Sequence, residues 1–586
     1  MIKKLGEIAD GVFNSDLLVL GGGLAGCMAA IRASQKGLDV IIVEKAALRR
    51  SGQAGRGLDH YASIAHPKVN GLSAREYGQR RAAELGGLAS SKLSVITAQD
   101  ALKPIKILEE IGVKLKEDDG TYKLIPHRIG GGVAKQRGEK PIGTAGDCIL
   151  YRGADLKLRL ASEIVRRKIR VFERTMFTGL ITRDGSVTGV TALDVRTGRF
   201  YVFRAKAVLL STGGAYSRMY DYPFATFPNN LFTGCGIPTN VGSGQAAAYR
   251  AGAKLTNLEF LFVSIQTLCS CPSPQGAVFS AKMKNSQNEE LFAKYPEVRE
   301  KEKGGGFYPW GRYPFMPSMS APEIERDVVS YYWDGVPETA ESFGAFMAAN
   351  ETPIYLKLTE NRGGLRRSPY ELYAWHQGII RGFGGVMRNE MGEASLKRLF
   401  VAGDVGGAMP AYGSTGAFVW GLRIADYLAG TLPGIEETAF DNDQMEQVLV
   451  ERQRVLEPLQ RREGVEPLEL EDLTRKIMSY HVGIRKIEPR LRRAIELLEI
   501  IKTDFIPKLS AKNPHELMRA VEVQDVVELC GLQARTALLR RETRMPPYHY
   551  RVDYPEPDET SWRKNLVVYS KNGEMKHELL AIDDAV

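Results

Sequence analysis

The sequence predicts an α/β fold, in which a parallel sheet is layered with helices, followed by a helical C-terminal region. Over residues 1–258, short apolar runs alternate with helical patterns, which is typical of layered α/β domains. Over residues 436–545, apolar residues recur at three- and four-residue spacing, most clearly at 468–480 and 487–501, which is typical of amphipathic helices.

The first element is a strand–turn–helix motif near the N terminus. An apolar run over residues 17–20 leads into three glycines in the spacing Gly-x-Gly-x-x-Gly: Gly21, Gly23 and Gly26. The first permits a tight turn, the second lets the backbone approach a pyrophosphate, and the third lets helix and strand pack closely. The helix that starts with Leu24 and Ala25 offers unpaired N–H groups and the positive end of its dipole to a diphosphate.

A second apolar run over residues 40–43 completes this unit and ends at Glu44. A carboxylate about 20 residues beyond the glycines usually binds ribose hydroxyls. We include its neighbour Lys45 in the predicted site. Glycines alone would also fit an ordinary turn, but strand, helix, second strand and acid in this order predict a Rossmann-type dinucleotide site.

The next elements are predicted strands. Residues 170–177 form a short strand, and 180–183 and 187–194 form a hairpin with Asp184-Gly185 at its turn. Residues 205–210 form a buried strand. Beyond it, residues 259–355 lose regular periodicity and contain a Gly-, Pro- and aromatic-rich stretch at 304–322, which predicts an inserted lobe with long loops. The aromatic residues would line a pocket for an apolar substrate or pack the lobe or a partner interface, and both alternatives stay open.

Three separate segments favour FAD as the dinucleotide. Each combines small residues or a carboxylate with the end of a strand or the start of a helix, where backbone can pass close to a large cofactor. Asp404 follows the strand 399–402, where it could accept hydrogen bonds from ribityl hydroxyls, and a helix N-terminus after it could stabilise negative charge on a reduced flavin. The predicted residues are Ser51, Gly52, Gln53 and Gly57; Thr212, Gly213 and Gly214; and Asp404, Ser414, Thr415 and Ala417.

The composition is that of a globular protein that can bury a large core. Of the 586 residues, 44% are hydrophobic and 25% are charged, and the formal net charge is +9. The basic runs stand in helical patterns with acids nearby, so we predict solvated helix faces and no nucleic-acid partner. The sequence has no run of about 18 apolar residues and no signal-peptide pattern, so we predict no transmembrane segment and a cytoplasmic location.

The six cysteines are scattered, and no Cys-x-x-Cys pair occurs. This excludes a disulfide scaffold and predicts no iron–sulfur cluster or other metal site within the chain. Cys269 and Cys271 form a lone Cys-x-Cys, for which two small buried or loop residues are favoured over a redox pair or a metal site.

Four stretches carry a resemblance to a known family: RRSGQAGRGLD at 49–59, VGSGQAAAYRAGAKLTNLEF at 241–260, LFVAGDVGG at 399–407 and LLRRETRMPPYHYRVDYPEPDETSW at 538–562. The chain resembles the flavoproteins of fumarate reductase, succinate dehydrogenase and L-aspartate oxidase. Within this superfamily it is most similar to the alpha subunit of adenylylsulfate (APS) reductase.

The resemblance implies three domains. A Rossmann-type FAD-binding domain spans residues 1–258 and 356–433. A capping domain, residues 259–355, interrupts it, and the active site would lie between cap and flavin. A C-terminal helical domain with an extended tail spans residues 434–586.

The resemblance also implies site residues. Succinate dehydrogenases attach FAD through a histidine in the segment after the ribose carboxylate, and here no histidine occurs between Glu44 and His60, so we predict noncovalent FAD. His376 precedes Gly384-Gly385 as the family's pocket histidine does. It could hold an anionic substrate or relay a proton, and the alternative is a structural histidine beside Trp375.

This chain departs from the family in its arginines. Tyr412 stands near the place of a substrate-clamping arginine, and tyrosine does not reproduce bidentate recognition of a carboxylate. Residues 262–266 replace the family's His-Pro-Thr, and no arginine occurs between Glu259 and Lys282. Arg381 is a candidate substitute. Arg366 and Arg367 are others, although surface positions are favoured for that pair.

We therefore predict an FAD-dependent oxidoreductase that transfers hydride between flavin and a small substrate under the cap, with His376, Arg381 and Tyr412 as candidate catalytic residues. A C=C reductase or dehydrogenase for a substrate less acidic than fumarate fits the missing arginines. The alternatives are the alpha chain of APS reductase and a non-catalytic electron-transfer flavoprotein within a larger redox complex. An iron–sulfur or other electron-transfer protein is the predicted partner.

Overall fold

The computed structural model describes most of the chain outside the predicted cap. The described residues are 4–55, 57–58, 60–61, 64–83, 86–125, 148–151, 153–220, 232–234, 237–267, 282–284, 332–334, 375–407, 413–436, 439–483, 485–545 and 548–583. Tyr412, the pair Arg366 and Arg367, Cys269, Cys271 and the aromatic stretch 304–322 lie outside them, as does most of 259–355.

The strands, in chain order, are β1 (Gly11–Leu20), β2 (Val40–Glu44), β3 (His60–Tyr61), β4 (Leu124–Ile125), β5 (Cys148–Leu150), β6 (Arg170–Glu173), β7 (Thr175–Arg183), β8 (Ser186–Asp194), β9 (Phe200–Leu210), β10 (Phe232–Gly234), β11 (Leu255–Thr256), β12 (Leu261–Thr267), β13 (Lys282–Lys284), β14 (Tyr332–Asp334), β15 (Trp375–Gly382), β16 (Gly385–Val386), β17 (Leu399–Val401), β18 (Arg485–Lys486), β19 (Tyr550–Arg551), β20 (Asn565–Lys571) and β21 (Glu574–Leu580).

The helices, in chain order, are α1 (Leu5–Ile8), α2 (Leu24–Gln35), α3 (Pro67–Asn70), α4 (Ala74–Ala83), α5 (Ser91–Gln99), α6 (Lys103–Glu110), α7 (Leu156–Arg166), α8 (Ser243–Arg250), α9 (Gly413–Thr431), α10 (Asn442–Leu456), α11 (Pro467–Ile477), α12 (Glu488–Ile500) and α13 (Pro514–Leu539). None of these helices, nor any other helix of the described residues, is long and apolar enough to cross a membrane.

The main sheet has the strand order β6-β2-β1-β9-β8-β7, and β17 also pairs with β9. Strands β6, β2, β1, β9 and β17 are parallel, while β7 and β8 form an antiparallel hairpin. Along β1, Leu17 and Val19 face a core shared with α2, α7 and α9, and Leu18 and Leu20 face a core shared with α8 and α13. This burial of both faces explains the continuous apolar runs and confirms the predicted α/β fold.

The predicted hairpin forms, with Asp184 and Gly185 both at positive φ (49° and 70°), as a two-residue primed turn requires. The predicted strand over 170–177 is instead interrupted at Arg174, whose φ is 55°. This break ends β6, which pairs with β2, and lets β7 start the antiparallel hairpin with β8.

The C-terminal region is helical, as predicted, and its two periodic segments appear as α11 and α12. Each continues into a π-helical turn, Met478–Val482 and Ile501–Phe505. The tail, for which we predict an extended chain, instead forms the β20–β21 hairpin in the sheet β16-β11-β20-β21. Asn572 and Gly573 have positive φ in its turn.

Candidate cofactor site

The first predicted motif folds into a tight turn between β1 and α2. Gly21 has a φ of 97°, which favours glycine, and a Cβ on Gly26 would lie 2.0 Å from the carbonyl oxygen of Gly21. The fold of the turn therefore requires glycine at both positions. Gly23 is different, because a Cβ there would have only the Cα of Gly52, 4.0 Å away, as a neighbour. Its backbone faces open space at the start of α2.

Glu44, at the end of β2, supports this turn. Its Oε2 accepts a hydrogen bond from the Gly22 N–H at 2.6 Å, and its Oε1 accepts one from the Ala46 N–H at 2.6 Å. A carboxylate oxygen can accept more than one hydrogen bond, so Glu44 keeps capacity for a ribose hydroxyl.

Behind the turn, the carbonyl oxygen of Gly22 accepts three further hydrogen bonds. The Ser51 hydroxyl donates at 3.1 Å and the Cys27 thiol at 3.2 Å, and the fully buried Lys157 ammonium donates both to this oxygen and, at 3.1 Å, to the Cys27 sulfur. Burial raises the pKa of the Cys27 thiol, so it stays a neutral donor. These contacts fix the Gly22 peptide and so support the turn from behind.

A cleft of about 320 Å³ opens over the motif. It is lined by these predicted residues: Gly21, Gly23, Leu24, Ala25, Glu44, Lys45, Gly52, Gln53, Thr212, Gly213, Asp404, Ser414 and Ala417. The structure thus gathers the predicted segments on one cavity, although they are far apart in the chain.

Five predicted residues, Gly26, Ser51, Gly57, Gly214 and Thr415, are not among those that line the cleft. Gly26 and Ser51 shape the turn from behind. Gly57 has a φ of 100° and would place a Cβ 2.5 Å from the Cα of Ala154, so it serves packing. Thr415 is buried in the first turn of α9 and hydrogen-bonds Tyr61.

Sequence reasoning missed several lining residues. These are Val43, Ala54, Leu58, Thr175, Met176, Phe177, Ser211, Thr239, Asn240, Val241, Gly242, Ser243, Ala402, Gly403 and Gly413. The stretch VGSGQ, which begins at Val241 and opens α8, could have been recognised from the sequence, because its small residues allow the backbone to come close to a ligand. The stretch 175–177 carried none, because only the sheet order brings β7 to the cleft.

Unpartnered polar atoms test whether this cleft fits FAD. Within the part of the chain that the structure describes, three buried side-chain oxygens in this region have no hydrogen-bond partner: Thr212 Oγ1, Ser243 Oγ and Gln245 Oε1. Thr212 and Ser243 line the cleft. Buried hydroxyls without partners are costly, and a phosphate or polyol chain would satisfy them. Together with the open backbone at Gly23, they fit a dinucleotide. Noncovalent attachment stays a prediction.

Asp404 follows β17 at its carboxyl end, which is where ligands bind in parallel sheets. The buried Arg388 guanidinium interacts with it electrostatically. That guanidinium lies 4.5 Å from the centre of the Trp420 ring and donates from Nη1 to the carbonyl oxygen of Val401 at 2.8 Å. Burial lowers the pKa of Arg388 to about 9, an effect that the charge of Asp404 partly opposes.

His376 and Arg381 both lie on β15. This strand pairs antiparallel with β12, with His376 opposite Gln266 and Arg381 opposite Phe262, and parallel with β10. After β15 the chain returns to the cofactor domain at Gly385, and the third predicted catalytic residue, Tyr412, is outside the described residues. The assignment of these three residues stays a prediction.

Two family models match the sequence. The model described as an FAD binding domain matches residues 16–285, and the model described as the fumarate reductase flavoprotein C-terminal region matches residues 471–584. The first covers the motif, β2 and the hairpin. The second covers most of α11, α12, α13 and the β20–β21 hairpin.

Similar proteins extend over nearly the whole chain. A fumarate reductase (CoM/CoB) subunit from Methanothermobacter marburgensis is 24% identical, with 96% of this chain and 98% of that protein covered. A fumarate reductase flavoprotein subunit from Helicobacter pylori is 25% identical, with 93% and 81% covered. The solved adenylylsulfate reductase of Archaeoglobus fulgidus superposes with a TM-score of 0.77 at 23% identity, covering 99% of this chain and 97% of that one, and so shares the fold.

Proposed function

Because this chain is an FAD-dependent oxidoreductase of the flavoprotein family of fumarate reductase, succinate dehydrogenase and adenylylsulfate reductase, we propose that it is a C=C reductase or dehydrogenase for a small substrate held under a cap. FAD, when bound, supplies the hydride chemistry. The protein contributes binding, orientation and proton transfer.

Different residues of the chain would bind different parts of the cofactor. The turn at Gly23 and the N terminus of α2 would bind the diphosphate, and Glu44 a ribose. Asp404 would accept from ribityl hydroxyls, and the N terminus of α9 would stabilise negative charge beside the flavin ring.

One observation supports the proposed position of the substrate: the backbone contacts between the loop after Asp404 and the segment that follows β15. The Val386 N–H donates to the carbonyl oxygen of Val405 at 2.9 Å, and the Gly407 N–H donates to that of Val386 at 3.0 Å. A Cβ on Gly385 would lie 2.4 Å from the Val405 oxygen. The segment that directly follows β15 therefore packs on the loop that follows Asp404, which supports a substrate site between β15 and the flavin.

We assign the substrate roles on this basis. His376 would hold or move a proton at a substrate carbon, since an imidazole titrates near working pH. Arg381 would bind a polar group of the substrate. This chain has other residues at the positions where the family resemblance implies arginines. That difference supports a substrate less acidic than fumarate.

A separate iron–sulfur or other electron-transfer protein is the proposed electron partner. The Methanothermobacter relative is named as one subunit of its enzyme, which supports a multi-subunit assembly. Its substrate, fumarate, is included among the compounds to be tested on this chain.

The test is anaerobic reduction of the purified chain, followed by stopped-flow reoxidation with neutral and aromatic enoates, fumarate and APS. We expect an enoate to reoxidise the flavin fastest. Reoxidation by APS alone would establish the APS reductase alternative, and reoxidation by no small molecule would favour an electron-transfer role. Either result would overturn the proposal.

The role of His376 is tested with His376→Ala. The loss of a general acid lowers the rate by about 100-fold or more. His515→Ala is the matched control, because His515 is exposed in the first turn of α13. Equal reoxidation rates for the two variants would contradict the assignment.

A further inference from the structure

A side chain of the C-terminal helical region reaches the edge of the cofactor cleft. Lys45, which lines the cleft next to Glu44, has its Nζ 2.6 Å from Oε1 of Glu522 on α13. The Glu522 side chain is 2% exposed and that of Lys45 is 16% exposed. Water therefore screens this pair only weakly.

The second carboxylate oxygen of Glu522 binds another part of the cofactor domain. Its Oε2 accepts a hydrogen bond from Nη1 of the buried Arg218. Arg218 ends the helical turn Tyr216–Arg218, which directly follows the cleft segment with Thr212 and Gly213. One carboxylate from α13 thus holds both segments that flank the Gly21 turn.

Arg218 is itself fixed from the other side. Its Nε donates to Glu471 Oε1 of α11 at 2.8 Å, and Glu471 also binds Arg475 at 2.6 Å and Arg519 at 3.2 Å. Arg218 therefore cannot move away from Glu522 without also breaking its buried pair with Glu471.

Glu522 keeps its charge in this setting. Burial opposes ionisation, but Lys45 and Arg218 outweigh burial and lower the pKa of Glu522 to about 2. Neutralising it would remove the carboxylate that Lys45 and the buried Arg218 share, which is far costlier than losing an exposed pair.

These contacts lie at one end of the cleft. Lys45 adjoins Glu44, the predicted ribose carboxylate, and the segment with Thr212 packs on the Gly21 turn, since a Cβ on Gly21 would lie 2.6 Å from the Ser211 carbonyl oxygen. Ribose and diphosphate are the parts of FAD that such residues bind. The predicted flavin end is built from other elements, β17 with Asp404 after it and α9.

We propose that Glu522 is a positioning residue of the FAD site, which acts through Lys45 and Arg218 and sets the affinity for the adenosine half of the cofactor. The helical region is then a part of the cofactor site. The proposal concerns FAD binding and is independent of the substrate.

The test uses the full-length chain freed of FAD and measures binding of FAD, of ADP as the adenosine half and of FMN as the flavin half. Loss of a charged hydrogen-bond partner weakens binding by roughly 10- to 100-fold. We expect Glu522→Gln to weaken FAD and ADP by this factor and to leave FMN within about twofold.

Glu528→Gln is the matched control. Glu528 also lies on α13 and pairs with a cofactor-domain side chain, Arg250, at 2.6 Å, but Arg250 adjoins neither segment. We expect this variant to lower the melting temperature without changing ADP affinity. A selective loss of ADP binding in Glu528→Gln would overturn the proposal, because it would mark a general effect of loosening α13.

A double-mutant cycle tests the route through Lys45. In a Lys45→Gln background, Glu522→Gln should weaken ADP clearly less than it does alone. Additive effects, an unchanged ADP affinity, or equal losses of ADP and FMN would each overturn the proposal. If Glu522→Gln does not fold, Glu522→Asp replaces it, because the charge remains while the shorter side chain cannot reach both cations, and the same expected and contrary results apply.

Discussion

Two glycines of the same motif should respond in opposite ways to alanine. A Cβ on Gly26 would lie 2.0 Å from the Gly21 oxygen and 2.7 Å from the Ser211 hydroxyl, so β1 and α2 would have to separate. A Cβ on Gly23 would meet nothing closer than 4.0 Å. Gly23 also has a φ of −69°, which alanine adopts freely.

These distances set the magnitudes. Gly26→Ala forces overpacking against backbone, which we expect to cost about 3 kcal/mol or more of the free energy of unfolding. Gly23→Ala should leave the FAD-free protein unchanged or up to about 1 kcal/mol more stable, because alanine restricts the unfolded chain. Its methyl group would instead project toward the diphosphate, and we expect FAD affinity to fall about 100-fold.

The assay combines denaturant unfolding of the FAD-free chain with FAD titration of each variant. The expected pattern is a loss of FAD affinity alone in Gly23→Ala and a loss of both stability and FAD affinity in Gly26→Ala. A Gly23→Ala protein that binds FAD normally, or that loses as much stability as Gly26→Ala, would refute it.

Two further predictions concern the buried ionic groups of the C-terminal region. Burial, reinforced by the charge of Arg551, lowers the pKa of Lys486 to about 7. Above that pH the folded chain releases a proton that the unfolded chain keeps, so the free energy of unfolding should rise from pH 7 to 9. Urea unfolding at both pH values should show a smaller rise in Lys486→Met, and an equal rise would argue against the low pKa. Arg540 pairs with Glu259 at 2.5 Å and Glu542 at 3.0 Å, all fully buried, so Arg540→Gln should cost about 3–5 kcal/mol. The exposed Arg492, changed to Gln, should cost less than about 1 kcal/mol in the same unfolding experiment, and similar losses in both variants would contradict this contrast.

Local patterns predicted the elements whose causes are local. The turn at Gly21, the strand ending at Glu44 and the hairpin at Asp184-Gly185 depend on residues close in sequence, and all three form as expected. The Asn572-Gly573 turn of the tail hairpin carried the same kind of signal. It could have been predicted from the Asn-Gly pair, although we expected an extended tail.

The sequence by itself determined that this chain builds a layered α/β domain with a dinucleotide turn, because hydrophobic period and glycine spacing are properties of short segments. Only the tertiary structure decided which distant residues complete the site. Thr175 reaches the cleft through sheet order, and Glu522 reaches the cleft residue Lys45 through the packing of α13 on the cofactor domain. The physical reason is that such contacts follow from how whole elements pack on one another, and no pattern within a short segment records that packing.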